Sequence, residues 1–201
     1  SYNPQLQDLE KFMDYGFMLS SMKTEYFPPL DHFFSREPIN YYYFGHYLAG
    51  FLTKLSGVLP TIAYNFQMSL IFGLAASSSF SLAAAISKGI GLEENRMKMA
   101  GYVTIFMVTI TGNLHRITYI IFKTINELFG TKFDLLLLLD KDYWYPSSTR
   151  YIPNTIHEYP LYSFVVNDLH GHVSNIPNVL LLMALIFAAF SALSREFDKR
   201  Y

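Results

Sequence analysis

Residues 167–194 read NDLHGHVSNIPNVLLLMALIFAAFSALS. From Val173 to Ser194 there is no Asp, Glu, Lys or Arg. Such a run suits a helix crossing a bilayer, which needs about 20 predominantly apolar residues. Directly before it stand Asp168, His170 and His172, with Glu158 a little upstream. Ionisable groups at the mouth of a membrane helix are costly to place and mark functional sites. The stretch therefore reads as a membrane helix with a polar site at the bilayer surface.

Two further runs extend this reading. Leu55–Ser87 also lacks Asp, Glu, Lys and Arg; its best span is Thr61–Ile86, where AASSSFSLAAA permits close helix packing. Another span is expected over Met99–Leu114, and the last over Pro177–Ser194. A soluble domain of 201 residues could hardly bury three such helices. Composition agrees: 51% of residues are hydrophobic and 15% charged, against about 25% charged in soluble domains. A net charge of −1 leaves no basic footprint for nucleic acid. The absence of cysteine excludes disulfides and thiolate-bound metals. Sixteen tyrosines suit membrane interfaces, where the ring is sheltered and the hydroxyl stays wet. P-loop, GxGxxG, GxSxG and HExxH motifs are missing, so P-loop hydrolysis and Rossmann-type hydride transfer have no support.

The expected fold is all-α: a polytopic membrane helix bundle with about three spans, interfacial helices and two long outer loops. Residues 1–60 form the first outer loop, 61–114 two spans, 115–176 the second outer loop, and 177–201 the third span and cytoplasmic end. Lys88, Arg96, Lys98, Arg195, Lys199 and Arg200 gather at two ends that an odd number of crossings places together. The positive-inside rule makes that side cytoplasmic, and the long loops non-cytoplasmic. Leu9–Met22 has helical spacing. The segment PINYYYFGHYLAGFLTKLSG starts at Pro38 and stops at Gly57 as an interfacial helix or a short fourth span. ITYIIFKTINELFG is a second amphipathic helix, and Thr131–Pro160 is irregular, broken by Pro146, Pro153 and Pro160. The chain opens on Ser1 without Met or an apolar leader and reads as a piece of a longer polypeptide, with a transmembrane helix expected ahead of Ser1.

Several residues could carry chemistry. Glu10 and Asp14 share a helix face at i, i+4. Such a pair binds a cation, turns one carboxylate into a base by raising its pKa, or forms a solvated face beside Lys11. Asp31 after a proline pair reads as a turn residue. In Asp168-Leu-His170-Gly-His172, an extended backbone would put all three side chains on one side, a workable ligand set for a divalent metal. On a helix, Asp168 and His172 would pair instead and His170 would point away; Gly171 favours the irregular form. Glu158 beside Pro160 is a further carboxylate. Arg150 lies among hydroxyls and tyrosines, and its planar fork suits phosphate or a surface ion pair.

The motifs NYYYFG (Asn40 to Gly45), Glu10-Lys11-Phe12-Met13-Asp14, Pro28-Pro29-Leu30-Asp31-His32-Phe33, Thr149-Arg150, and Glu158-Tyr159-Pro160 through His172 occur together. In this combination the chain resembles the uncharacterised integral membrane family of archaea and bacteria named for its YYY motif. Phe33, Thr149 and Tyr159 are mild departures from that pattern. The family is in turn similar in layout to the C superfamily (GT-C) of membrane glycosyltransferases, such as protein mannosyltransferases and oligosaccharyltransferase catalytic subunits. The resemblance implies a multi-pass protein of the cell membrane that transfers a sugar from a polyprenyl-phosphate donor to an acceptor at the non-cytoplasmic face. Asp14 is then the base, with Glu10 and Glu158 as further catalytic carboxylates. Arg150, Tyr42, Tyr43 and His46 are candidates for substrate or phosphate binding. Asp168, His170 and His172 are candidates for a divalent metal, Mg2+ or Mn2+ in preference to Zn2+. A transporter and a non-catalytic scaffold subunit are the competing readings. The charges sit in the loops and the spans are nearly charge-free, which weighs against a transport path.

Overall fold

A computed structural model describes residues 5, 10–34, 36–112, 115–131, 149 and 152–198, without the side chains of residues 115, 116 and 195–198. Among the described residues the chain forms seven helices and no strand. It divides into two compact units, one of Ser1–Ile110 with Pro160–Tyr201 and one of Thr111–Tyr159.

The larger unit is built on α3 (Pro60–Gly89) and α7 (Gly171–Asp198). Pro60 occupies the first turn of α3, where its missing N–H costs nothing. Thirty residues at about 1.5 Å each make a rod of roughly 45 Å, longer than the about 30 Å hydrocarbon core. Over their most apolar windows only 22% of α3 and 6% of α7 is buried inside the protein. The apolar core helix of a soluble protein would be mostly covered, so these surfaces are suited to lipid. Helix α7 starts at Gly171, ahead of the expected Pro177, and takes His172 into its first turn.

At its far end α3 closes with a Schellman arrangement: Leu92 N–H donates to the Ser87 carbonyl and Gly91 N–H to that of Lys88. Gly91 sits at φ 80°, the left-handed conformation this cap requires. The chain then returns along α3 as α4 (Glu94–Thr109). At sixteen residues α4 is about 24 Å long, short of a full crossing, and its first turns carry Glu94, Arg96 and Lys98. Two helices, not three, are therefore long and apolar enough to span a membrane among the described residues.

Two shorter helices, α1 (Lys11–Lys23) and α2 (Phe44–Ser56), pack on each other and on the beginning of α3. Helix α2 begins at Phe44, not at Pro38. Residues 37–39 are instead held extended against 29–31: Ile39 N–H donates to the Pro29 carbonyl at 2.8 Å and Asp31 N–H to that of Glu37 at 2.9 Å. The three tyrosines thus precede the helix. Gly57 ends α2 in the left-handed region, at the expected stop. The core gathers Met18, Ala49, Tyr64, Met68, Ile71, Leu169 and Val173, one contribution or more from each of α1, α2, α3 and the start of α7. The smaller unit holds the expected amphipathic helix as α5 (His115–Phe129), which buries Tyr119 and exposes Ile117, Ile120 and Ile121. The last helix, α6 (Pro160–Val166), precedes the loop into α7 and belongs to the larger unit.

The α3–α4 hairpin depends on one small residue. A Cβ on Gly101 would clash with the Phe80 ring, which also meets Tyr102 in a T-shaped contact at 5.3 Å between centroids. Gly101→Val is expected to force the two helices apart and cost about 1–3 kcal/mol, the range of overpacked cores. A lower thermal midpoint in detergent, with Gly73→Ala as a control in open space, checks this.

Candidate functional site

Helix α1 buries Asp14, Phe17, Met18 and Ser21, an i, i+3, i+4, i+7 stripe. Helix α2 buries His46, Ala49, Gly50 and Thr53 in the same pattern. The stripes face each other, so Asp14 and His46 meet inside the contact. His46 Nε2 lies 2.9 Å from Asp14 Oδ1, and neither residue is exposed. Phe17 closes the site with its ring edge-on to His46 at 5.7 Å.

The third piece arrives from the loop between α6 and α7. Asn167 turns the chain at φ 65°, and its amide donates to Asn65 Oδ1 on α3 at 2.7 Å. Asp168 N–H donates to the Ser163 carbonyl. Thus anchored, Asp168 and His170 are both buried and turn towards Asp14. His170 Nδ1 is 2.9 Å from Asp168 Oδ2, and His170 Nε2 is 2.6 Å from Glu10 Oε2 at the exposed rim. Glu10 also starts α1, its carbonyl accepting from Asp14 N–H. The result is a continuous chain of polar groups: His46, Asp14, Asp168, His170, Glu10. The irregular backbone at Asp168–His170 is the form that Gly171 favours, and the Glu10/Asp14 pairing is split, each carboxylate taking its own histidine.

Charge settles unevenly over this chain. Burial raises the Asp14 pKa from 3.8 to about 6, against the His46 hydrogen bond and with the help of the neighbouring Asp168 carboxylate. Burial works against ionised Asp168 too, but the hydrogen bond and charge of His170 hold its pKa below 3.8. Burial also opposes a charged His170, yet Asp168 and Glu10 outweigh it and lift the pKa from 6.5 to about 10. An imidazolium thus lies between two carboxylates, beside a further carboxyl poised near neutrality. Asp14 Oδ2 and Asp168 Oδ1 are buried without a hydrogen-bond partner. Donor atoms of Asp14, Asp168 and His170 lie within 4.8 Å of one another. Oxygens of this kind suit a shared proton or a hard divalent cation.

His172 is exposed, its ring 5.7 Å from that of His170. Tyr42 is exposed and lies against Gly171, while Tyr43 stacks on Phe27 at 6.3 Å. Asp31 is the expected turn residue, accepting from the Phe33 and Phe34 N–H groups. Glu158 belongs to the smaller unit and is half-buried. Arg150 lies outside the described residues. Sequence reasoning missed Tyr64, whose fully buried hydroxyl on α3 lies near Asp14 and the Leu169 backbone. The signal was available: Tyr64, Met68, Ile71 and Ala75 are buried at helical spacing within the charge-free run.

Fold and site together define an all-helical membrane protein with a buried carboxylate–imidazole cluster beside its apolar helices. Residues 1–201 match the family described as "Uncharacterized membrane protein (DUF2298)". The chain belongs to that family, as its YYY and D-x-H-x-H motifs led one to expect. No curated protein and no solved structure matches it.

The raised pKa of His170 makes its charge a source of stability. The folded state holds the proton more tightly than the unfolded state, so this contribution is complete below pH 6.5 and declines until about pH 10. Comparing the stability of the protein and of His170→Gln in chelator-treated detergent solution checks it. The gap between them should narrow steadily across that window.

Proposed function

We propose that this protein is a membrane glycosyltransferase of GT-C-like layout, moving a sugar from a polyprenyl-phosphate donor to an acceptor at the non-cytoplasmic face. The observation that carries the proposal is the convergence of Asp14 and Asp168, from opposite ends of the chain, with His46 and His170 in one cluster at the head of α7. Transfer to a hydroxyl needs a base for the acceptor proton and stabilisation of the departing phosphate. With a pKa of about 6, Asp14 is mostly ionised at neutral pH and still basic enough to take a proton. His46 holds its carboxylate in place. The exposed Glu10 carboxylate, whose contact with His170 forms the rim, lies on the solvent side of the cluster.

Asp168 and Asp14, with His170 once it has given up its proton, are suited to hold Mg2+ or Mn2+, since two of the three offer hard carboxylate oxygens. Such an ion supplies charge stabilisation for the phosphate. His172 is the outer histidine of the set. Arg150 keeps its assignment to phosphate binding on its chemistry alone. A transport reading lacks comparable support, because the cluster lies ahead of α7 and not along it.

Asp14→Asn removes the base while preserving size and polarity. It is expected to lower transfer from polyprenyl-phosphate sugars by about 10²-fold or more. The wild-type rate should rise with pH through about 6, and this limb should vanish in the variant. Metal analysis of the same proteins separates the two uses of Asp14: a base leaves metal content unchanged on substitution, whereas a ligand lowers it as Asp168→Asn does. Wild-type turnover by Asp14→Asn would remove this residue from the mechanism.

Sidedness has its own test. Single cysteines replacing Lys23 and Glu94 should react with impermeant reagents from opposite faces of the membrane, with Glu94 cytoplasmic. Labelling of both from one side sinks the orientation.

A further inference from the structure

The first turns of α2 and α7 touch through small residues. A Cβ on Gly45 would lie 2.6 Å from Ser174 Oγ, and one on Gly171 would lie 2.7 Å from the Tyr42 ring. Beside this contact lies a groove of about 490 Å³ whose lining includes Tyr42, Phe44, His172, Ser174, Asn175 and Asn178. Its volume is within the about 300–1,000 Å³ of small-molecule sites. Gly171 and His172, which form one wall, follow His170 directly in sequence, so the groove opens next to the buried cluster.

The chemistry of the lining is selective. Among the described residues that line it there is no Asp, Glu, Lys or Arg. A phosphate ligand would call for Lys or Arg. An acyl chain would cover the Asn175 and Asn178 carboxamides without offering them a hydrogen bond, at a desolvation cost. A neutral ring bearing several hydroxyls uses every part of it. Asn175 and Asn178 present carboxamides; one Asn178 hydrogen already goes to the Ser174 carbonyl, and the remaining oxygens and hydrogens match hydroxyls that both donate and accept. The electron-rich faces of Tyr42 and Phe44 suit the polarised C–H edge of a sugar ring. Tyr41 packs on Tyr42 with ring centroids 3.8 Å apart, and both Tyr42 and Phe44 stay more than half exposed.

We infer that this groove is a binding site for a neutral pyranose, the sugar ring of either donor or acceptor, held by Asn175 and Asn178 against Tyr42. The inference rests on the glycosyltransferase reading for its role and on the groove alone for its ligand. Seated there, the ring lies beside the loop that carries Asp168 and His170, while the lipid-facing side of α7 continues away from it.

The test is binding, measured without turnover. The full chain in nanodiscs is titrated with methyl glucoside and methyl mannoside by saturation-transfer NMR. Saturable binding is expected, weakened about 10-fold or more in Asn175→Leu/Asn178→Leu and in Tyr42→Ala, and unchanged in Lys98→Ala on the exposed start of α4. Thermal midpoints confirm that the variants fold, and the single exposed-site variant Asn178→Leu serves if the double one does not. Displacement of the glycoside by a polyprenyl-phosphate sugar, but not by the bare polyprenyl phosphate, assigns the groove to the donor sugar. A glycoside that stays bound beside the donor assigns it to the acceptor. No saturable binding to the wild type, or equal affinity in the groove variants, overturns the inference. Groove-dependent binding with no transfer from any donor would defeat the enzymatic reading and leave the site standing. Transfer with unaltered glycoside affinity in the variants would do the reverse.

Discussion

The structure turns on the burial of Asp14. A carboxylate removed from water carries a large desolvation cost unless it is neutralised, hydrogen-bonded or paired. Here it sits with zero exposure on the inner stripe of α1, and everything nearby answers that cost. His46 on α2 bonds one oxygen, which fixes the rotation of α1 against α2. The α6–α7 loop brings Asp168 and His170 to the other side, which fixes where α7 begins. Tyr64 supplies a polar hydroxyl from α3 within the same apolar cluster. One ionisable group thus makes the relative placement of four helices interdependent.

A purely stabilising device would not be built this way. Replacing buried charges with apolar side chains of similar volume is often neutral or favourable, while removing one partner of a buried pair costs about 3–5 kcal/mol. Pairing alone is thus a weak reason for the cluster. Perturbed titratable groups of this kind concentrate where chemistry is done. The lining of the neighbouring groove includes aromatic rings, two carboxamides and the His172 imidazole.

Much of this was legible in the chain itself. The charge-free runs dictated long lipid-suited helices, because no soluble core of this size covers them. The glycine at position 57 and the amphipathic spacing of Leu9–Met22 placed helix ends and faces close to where they occur. Asp31 read correctly as a turn residue because a short acidic side chain reaches its own following N–H groups. Dense ionisable groups before an apolar run marked the site's location, since their cost there is evident from composition alone.

What the sequence could not supply was partnership. The i, i+4 spacing joined Glu10 to Asp14, whereas the fold separates them, giving Asp14 to His46 and Glu10 to His170. The regular spacing of Asp168, His170 and His172 suggested a common side; helix α7 begins between the two histidines, so His172 is exposed while its ring stays 5.7 Å from that of buried His170. Extended pairing of residues 29–31 with 37–39 shortened α2, which local propensity could not foretell because the partners lie in another segment. The sequence by itself determined which segments are apolar, where they break and which side chains can ionise, because these follow from local chemistry. Only the tertiary structure decided which ionisable groups share a buried space, because that depends on distant segments meeting and on the water they exclude.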